Sequence, residues 1–297
     1  MITRIPDYDL SGRNTFRMRV KCALYLEVTE ESDLPALNWD ALPQPVMVMG
    51  GGSNLLFTGD FPGTVLHVGI GSGLGLLLDQ GPAPVDVAQS SAKCQFSGLG
   101  LAYEMGPGPK VTLGAGVIFD DFCAWAAAQG LWGPENLSLI PGEVGASAVQ
   151  NIGAYGVEAK DIIAGIRAWD RQEGCFVDIN PASCAYGYRT SKFKTEWKGR
   201  YIITAVTYRL SIVPDPKLDY GGVRKALELA GVGVCPSETC APPHTGRGRG
   251  PLNTRSRAAG TQEAMGGAGV ERSGTEFSGR VFPSSAHQMG RFRARGG

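Results

Sequence analysis

The sequence has no net charge, few histidines and no long hydrophobic run. Its 297 residues include 28 basic side chains, 28 acidic side chains and three histidines. Because nucleic-acid binding depends on a surplus of basic residues, this balance disfavours nucleic acid as a partner. No stretch approaches the roughly 20 apolar residues of a membrane span, and residues 1–11 lack the apolar core of a secretory signal. We therefore expect a cytoplasmic protein with no membrane partner, and no pattern specifies an obligate protein partner.

The seven cysteines predict neither a disulfide framework nor a metal site. Their number is odd and the chain is large, which disfavours a set of structural disulfides. Cys235, Cys240 and His244 form a C-x4-C-x3-H cluster, but no second ligand pair lies at a spacing that zinc sites use. We therefore predict free thiols and no bound metal.

Residues 235–297 lack the amino acids from which a packed domain is built. They contain 12 Gly and 9 Arg, but no Lys, Asp, Ile, Tyr or Trp, and Leu252 is their only leucine. Two interpretations remain open. One is a disordered Gly/Arg-rich tail, which could bind RNA weakly. The other is translation of a GC-rich gene in a shifted reading frame, and the absence of Lys and Asp beside so many Arg favours it.

Apolar patterns in residues 1–233 predict an α+β fold in which strands outnumber helices. The predicted strands are Val46–Met49, Asn54–Phe57, Thr64–Val68, Lys110–Leu113, Ile163–Trp169, Cys175–Ile179 and Tyr201–Leu210. The pair at 163–169 and 175–179 flanks a polar turn and predicts a hairpin. One amphipathic helix is predicted from apolar residues at helical spacing, namely Phe119, Phe122, Cys123, Ala126 and Ala127. Residues 76–109 are glycine-rich, and we expect an irregular insertion or a long loop there.

Three glycines, Gly50–Gly52, come directly after the predicted strand Val46–Met49 and are followed by Ser53 and Asn54. Glycines lack Cβ atoms, so their backbone N–H groups can come close to a phosphate, and the two polar side chains add donors. The pattern is not G-x-G-x-x-G, and no Lys-Ser/Thr follows as in nucleotide-triphosphate loops. Taken alone, a glycine triplet after a strand is more often a simple turn.

The segment Asn136–Gly156 is dense in small residues. Such a backbone can lie flat against a ring system, and Gln150 and Asn151 could donate or accept hydrogen bonds at its edge. The alternative is a glycine-rich loop packed under a sheet, and the segment alone does not distinguish the two.

Tyr188 and Arg189 are adjacent, with Lys192 and Lys194 close behind. A positioned arginine stabilises developing negative charge, such as that of an enolate. In isolation, however, this pattern would be interpreted as a solvated basic turn.

Together these three segments resemble the UDP-N-acetylenolpyruvoylglucosamine reductases, which act in muramic acid synthesis for peptidoglycan. The matching residues are Asn14–Phe16, Gly50–Phe57, Asp60–Gly63, Asn136–Gly156 and Gly187–Lys194. The resemblance implies an FAD-binding fold of the vanillyl-alcohol-oxidase (PCMH) type, made of two α+β subdomains. The implied division is 1–70 and 71–212 for the FAD-binding subdomains, 213–234 for the start of a substrate-binding domain and 235–297 for the aberrant tail.

The resemblance also implies a bacterial flavoprotein in which NADPH reduces FAD, and FAD then reduces the UDP-sugar substrate to UDP-N-acetylmuramate. Arg189 would be the catalytic residue that stabilises the enolate, and Tyr188 and Tyr220 would contact the substrate. The implied FAD-binding residues are Gly50, Gly51, Gly52, Ser53, Asn54, Leu55, Ile140, Gly142, Gly145, Ala146, Gln150, Asn151, Gly153, Ala154 and Tyr155.

The family protonates the enolate with a serine in a Gly-Asn-Ala-Gly-Ser-Phe-Phe segment, and no such segment follows Tyr220. We therefore expect the third domain to be missing or mistranslated in this chain, and reduction of the substrate to be impaired. Two alternatives are a non-catalytic FAD-binding fragment and a different oxidoreductase on the same flavin fold.

Overall fold

A computed structural model describes residues 2–72, 93–96, 101–104 and 108–229. The strands are β1 Ile2–Asp9, β2 Lys21–Val28, β3 Val46–Met49, β4 Phe61–Val68, β5 Lys93–Phe96, β6 Leu101–Glu104, β7 Lys110–Gly114, β8 Gly153–Ala154, β9 Val157–Glu158, β10 Ile163–Asp170, β11 Cys175–Ile179 and β12 Tyr201–Arg209. The helices in these residues are α1 Phe119–Ala128, α2 Val144–Gln150 and α3 Val223–Leu229. The predicted tail, 235–297, lies outside the described residues.

The first sheet has four strands in the order β1-β2-β4-β3. Strands β1 and β2 are antiparallel, whereas β4 runs parallel to both of its neighbours. Residues 63–68 of β4 are all buried, as expected for a parallel strand covered on both faces. Among them, Thr64 satisfies its hydroxyl by donating to the Pro43 carbonyl at 2.8 Å, and His67 places an imidazole in the interior.

The second sheet has six antiparallel strands in the order β11-β10-β12-β7-β6-β5. Its central strand β12 buries Ile202, Val206 and Tyr208 completely. Helix α1 lies against this strand, with the ring of Phe122 stacked 4.7 Å from that of Tyr208. Helix α2 is fixed to the same tyrosine, because Ser147 Oγ lies 2.8 Å from the Tyr208 hydroxyl. The position of α2 is therefore set by β12.

Most of the predicted elements are confirmed. Val46–Met49, the hairpin and helix α1 are present, and the predicted strand Thr64–Val68 begins earlier, at Phe61. The predicted strand Asn54–Phe57 is wrong. After Gly50 the chain leaves the sheet through a turn, so Leu55 and Phe57 pack against the first sheet's core without pairing to another strand.

The predicted irregular insertion, 76–109, is wrong in part because it contains β5 and β6, which pair as a hairpin and extend the second sheet. The rest of that segment lies mostly outside the described residues. Strands β1 and β2 and helices α2 and α3 were not predicted. The first sheet ends at Val68 and the second begins at Lys93, whereas the proposed domain boundaries at 70 and 212 stay predictions.

Candidate cofactor-binding site

The glycine loop, Gly50–Asn54, is shaped by a neighbouring segment that includes Arg13. Gly52 has φ +74°, and a Cβ at this residue would lie 1.8 Å from the Arg13 carbonyl oxygen. No L-residue with a side chain fits this combination of conformation and contact. The loop therefore lies directly on the backbone of residues 13–14.

Asn14 explains why the Asn14–Phe16 motif accompanies the glycine loop. Its side-chain amide donates to the carbonyls of Leu10 and Met18 at 2.8 and 3.1 Å, and its oxygen accepts from the Met18 amide at 2.8 Å. These three bonds close residues 10–18 into a compact loop. Thr15 then donates to the Ser53 carbonyl at 3.4 Å and so joins the two loops.

Backbone donors in the glycine loop are free to bind an anion. The amides of Gly51, Gly52, Ser53 and Asn54 make no hydrogen bond to any other residue that the structure describes. Gly51 and Asn54 are also exposed. Successive unpaired N–H groups on a backbone without Cβ atoms form a concavity suited to phosphate. The residues present therefore fit the pyrophosphate of FAD.

Part of the small-residue segment, Val144–Gln150, forms helix α2. The amides of Val144 and Gly145 donate to the carbonyls of Val117 and Ala115, both at 2.9 Å. A Cβ on Gly145 would lie 2.8 Å from the Ala115 Cβ, so this glycine is required by close packing of α2 on the chain after β7. The segment also contacts the glycine loop, since Ser53 Oγ donates to the Pro141 carbonyl at 3.2 Å.

Two polar residues at the end of α2 have their side chains partnered by protein groups. Asn151 is fully buried with φ +47°, and its amide donates to the Gly187 carbonyl at 2.8 Å while its oxygen accepts from the Lys160 amide at 3.0 Å. Gln150 accepts from Lys194 Nζ at 2.9 Å. The geometry thus gives Asn151 a role in holding the Gly187 turn, and its contact with flavin stays a prediction.

The Tyr188–Arg189 pair lies at the tip of a tight turn between Gly187 and Thr190, which exchange two backbone hydrogen bonds of 3.1 Å. Arg189 has φ +55°, and its guanidinium donates to the Gly153 carbonyl at 2.6 Å. Lys194 donates to the Arg189 carbonyl at 3.0 Å, and burial together with the Arg189 charge lowers the pKa of that lysine. The turn therefore places two cationic groups over the predicted flavin-binding segment.

Tyr220 contacts the predicted flavin-binding segment through Tyr155. The two rings meet edge to face, with centroids 6.3 Å apart, and Tyr220 remains 59% exposed. Tyr155 packs on the small cluster formed by Leu218, Val223 and Leu227, and Asn136 ties the chain together by donating to the Tyr155 and Lys217 carbonyls. Tyr188 is 82% exposed.

The structure thus brings the glycine loop and the segment Ile140–Tyr155 side by side. Leu55, Ile140, Ala146, Gln150, Gly153, Ala154 and Tyr155 are each half-buried. Half-buried backbone and side chains are suited to a ligand that covers them on one side.

Sequence analysis missed a buried charged cluster beneath the glycine loop. His67 Nδ1 lies 3.0 Å from Glu27 Oε1, and His67 Nε2 lies 3.0 and 3.2 Å from the two carboxylate oxygens of Glu143. His67 is only 2% exposed and Glu143 only 9%. The available signal was a histidine inside the otherwise apolar strand β4, one of three histidines in the chain.

Within the described residues, no group of His, Cys, Asp and Glu side chains is arranged to hold a metal ion. The predicted thiol cluster of Cys235, Cys240 and His244 lies outside those residues. None of the described helices is both long and apolar enough to cross a membrane.

Residues 104–180 match a family described as an FAD binding domain. The chain is 40% identical over 229 residues to a UDP-N-acetylenolpyruvoylglucosamine reductase of Chromobacterium violaceum, covering 76% of this chain and 60% of the relative. A reductase of the same name from Bacteroides fragilis is 39% identical over 222 residues, covering 74% of this chain and 59% of the relative. The chain therefore spans about 60% of the length of these relatives.

The fold is also found in a solved structure, that of UDP-N-acetylenolpyruvylglucosamine reductase from Thermus caldophilus. The TM-score is 0.50 at 22% identity, with 73% of this chain and 64% of that chain covered. This likeness shows the fold, and the expected α+β, FAD-binding architecture is confirmed.

Proposed function

Because three quarters of the chain are homologous to UDP-N-acetylenolpyruvoylglucosamine reductases, we propose that it binds FAD between the glycine loop and the segment Ile140–Tyr155. The site then serves NADPH-dependent reduction of the enolpyruvyl UDP-sugar to UDP-N-acetylmuramate. When bound, FAD supplies hydride transfer, from NADPH to the vinyl ether carbon of the substrate. The chain's own residues bind the cofactor and position charge around the reacting carbon.

The hydrogen bond from Arg189 to the Gly153 carbonyl carries this proposal. It joins two motifs that are 36 residues apart in the chain, one predicted to act in catalysis and one predicted to bind flavin. A solvated basic turn, the alternative for Arg189, would instead direct its guanidinium into water.

Arg189 and its neighbours would act on the charge that hydride addition leaves on the substrate. The enolate and the adjacent carboxylate are anionic, and a guanidinium held at the edge of the flavin segment stabilises both by hydrogen bonds. Lys194 fixes the main chain of Arg189 and the side chain of Gln150 at once. Tyr188 and Tyr220 offer exposed rings and hydroxyls to the UDP-sugar.

A second candidate function is FAD binding with little or no turnover. It is favoured by the sequence after Tyr220, which contains no Gly-Asn-Ala-Gly-Ser-Phe-Phe segment and so does not supply the serine that protonates the enolate in the resembled family. Without that acid, NADPH would still reduce the flavin, whereas reduction of the substrate would be slower.

The test is to purify the full chain, record its flavin absorbance and follow NADPH oxidation with and without UDP-N-acetylenolpyruvoylglucosamine. We expect yellow protein and substrate-dependent oxidation at least about a thousandfold slower than that of a full-length relative, since these 297 residues contain no segment that matches the family's general acid. Folded but colourless protein would overturn the FAD assignment. Turnover equal to that of a full-length relative would overturn the proposed impairment.

A further inference from the structure

The three side chains Glu27, His67 and Glu143, here called the buried triad, lie at the base of the glycine loop. Oxygens of both carboxylates are 3.0 Å from the two ring nitrogens of His67. Glu27 and His67 stand on neighbouring strands β2 and β4, whereas Glu143 immediately precedes helix α2. The triad thus connects the first sheet to the segment proposed to bind flavin.

Proton placement in the triad follows from hydrogen-bond chemistry. An ionised carboxylate only accepts hydrogen bonds, so a ring nitrogen 3.0 Å from one must share a proton with it. One proton therefore lies between His67 and Glu143, and a second lies between His67 and Glu27. When His67 holds the second proton, the His67–Glu143 pair carries less negative charge than an ionised Glu143 would carry alone.

Other charged groups around the triad do not replace His67 at Glu143. Arg13 lies 3.7 Å from Glu27, so it balances that carboxylate. Tyr25 stacks on the imidazole at 6.4 Å between centroids, and its buried hydroxyl has no hydrogen-bond partner in the described residues. Glu143 therefore has its own charge compensated by His67.

Glu143 lies directly against the part of the loop that is proposed to bind phosphate. A Cβ on Gly50 would lie 3.1 Å from Glu143 Oε2, and a Cβ on Gly51 would lie 3.5 Å from Oε1. An uncompensated carboxylate at this distance would repel a pyrophosphate held by the loop, and low water access would leave the repulsion poorly screened.

We propose that His67 is a positioning residue of the FAD site, which neutralises Glu143 beneath the glycine loop and so permits an anion to bind there. This inference rests on the proposed function, because the anion is the pyrophosphate of FAD. The triad also holds the start of α2 against β4, which fixes the distance between the loop and the flavin segment. His67 acts through Glu143 and does not itself touch the cofactor.

The experiment compares four variants of the full chain: His67→Gln, Glu143→Gln, the double variant, and Thr64→Val as a control. His67→Gln keeps an N–H donor but cannot hold a second proton, and Glu143→Gln removes the ionisable carboxyl while keeping a hydrogen-bonding group. Thr64→Val breaks another buried polar contact on the same strand, three residues before His67 and opposite Val46 at the start of β3. The dissociation constant of FAD is measured by quenching of flavin fluorescence, and stability by thermal unfolding without FAD.

We expect His67→Gln to weaken FAD binding by about tenfold or more. Glu143→Gln should stay within about threefold of wild type, and in the double variant Glu143→Gln should restore affinity to the same range. Thr64→Val should lower the melting temperature without changing affinity. Restored FAD affinity in the double variant would indicate charge compensation. A merely structural role for His67 predicts instead that the double variant binds FAD more weakly than either single variant.

Two results overturn the inference while leaving the proposed function intact. They are wild-type affinity in His67→Gln, and a double variant that binds FAD as poorly as His67→Gln. A wild-type chain that folds but does not bind FAD overturns the proposed function itself, and with it this inference. If His67→Gln fails to fold, the double variant and Glu143→Gln still test the inference. A double variant that folds but binds FAD weakly counts against charge compensation.

Discussion

The glycine loop and the Arg189 turn contact opposite ends of the segment Ile140–Tyr155, through Pro141 and Gly153, and they are held in different ways. The loop lies on the backbone of Arg13 and above the buried triad, with Gly52 in a conformation that excludes any side chain. The turn is held by backbone hydrogen bonds and by polar contacts of Arg189 and Lys194, while Tyr188 projects into solvent.

This difference separates anchoring of the cofactor from reaction with the substrate, two properties that are often lost together on mutation. Changes in the loop should affect folding and cofactor affinity, because its conformation depends on close packing and compensated charge. Changes in the turn should affect reaction with the substrate, because its side chains contribute little buried area. Substitutions on the two sides can therefore show whether anchoring and chemistry are separable in this fold.

The largest effect is expected for Gly52→Ala. The new methyl group would meet the Arg13 carbonyl at a φ that alanine disfavours, so the loop must move. We expect a loss of about 3–4 kcal/mol in the free energy of unfolding, together with loss of flavin retention. Chemical denaturation and flavin absorbance after gel filtration measure the two effects.

Gly59→Ala is the matched control, since a Cβ there meets nothing within 4 Å. It should unfold within about 0.5 kcal/mol of wild type and keep its flavin. A stable, yellow Gly52→Ala variant would show that the loop is not held by packing on Arg13, and the contrast between the two sides of the site would disappear.

Arg189→Lys tests the Arg189 turn. Lysine keeps the charge but loses the planar fork that bonds Gly153, so stabilisation of the enolate should suffer. We expect substrate-dependent NADPH oxidation to fall about a hundredfold, flavin affinity to stay within about threefold, and stability to fall by less than about 1 kcal/mol. A variant that loses flavin as Gly52→Ala does would contradict separability.

Sequence patterns predicted the parts of this site in which local composition is unusual. The glycine triplet and the Tyr188–Arg189 pair stand out without tertiary information, and strand β3 was located to the residue. Helix α2 was not found, because its run of consecutive small residues gives no apolar face at helical spacing. Its helical state depends on packing against Ala115 and β12, which only the folded chain supplies.

The buried triad lay beyond sequence reasoning for a different reason. His67 is 40 residues from Glu27 and 76 residues from Glu143 along the chain, and a single histidine in a strand specifies no partner.

The wrong strand at Asn54–Phe57 has a similar origin. Its residues have apolar character suited to a strand, but whether they pair depends on the path of the chain, and the turn after Gly50 carries residues 54–57 away from the outer edge of β3.

A buried carboxylate at the end of β10, in the second sheet, offers a further comparison. Asp170 accepts from Arg200 at 2.6 and 2.9 Å, and this contact holds its pKa below the ordinary value of 3.8. A depressed pKa means that the carboxylate stabilises the fold above about pH 4 and that this contribution is lost as pH falls through the lowered pKa. Asp170→Asn should therefore lose about 2 kcal/mol at pH 7 and show a flatter decline between pH 5 and pH 3.

Flavin affinity at pH 7 should be unchanged in Asp170→Asn, because its charge is compensated away from the cofactor. Asp178→Asn is the control: its carboxylate is 82% exposed and 3.6 Å from Arg167, so it should cost less than about 0.5 kcal/mol. A loss of flavin in Asp170→Asn would mean that any buried charge affects FAD binding, and the effect of the buried triad on the site would not be specific.

The smallest effect on the protein itself is expected for Tyr188→Phe. The hydroxyl of Tyr188 bonds to no described residue, and the ring is largely in solvent. Removing the hydroxyl should leave stability and flavin affinity unchanged and raise the KM for the UDP-sugar about threefold at constant kcat, as loss of a uniform binding contact does. Tyr208→Phe makes the same chemical change in the core and should cost about 1 kcal/mol of stability through its contact with Ser147. If the exposed substitution destabilises the protein as much as the buried one, the Arg189 turn is part of the folded core and not a separate substrate-facing surface.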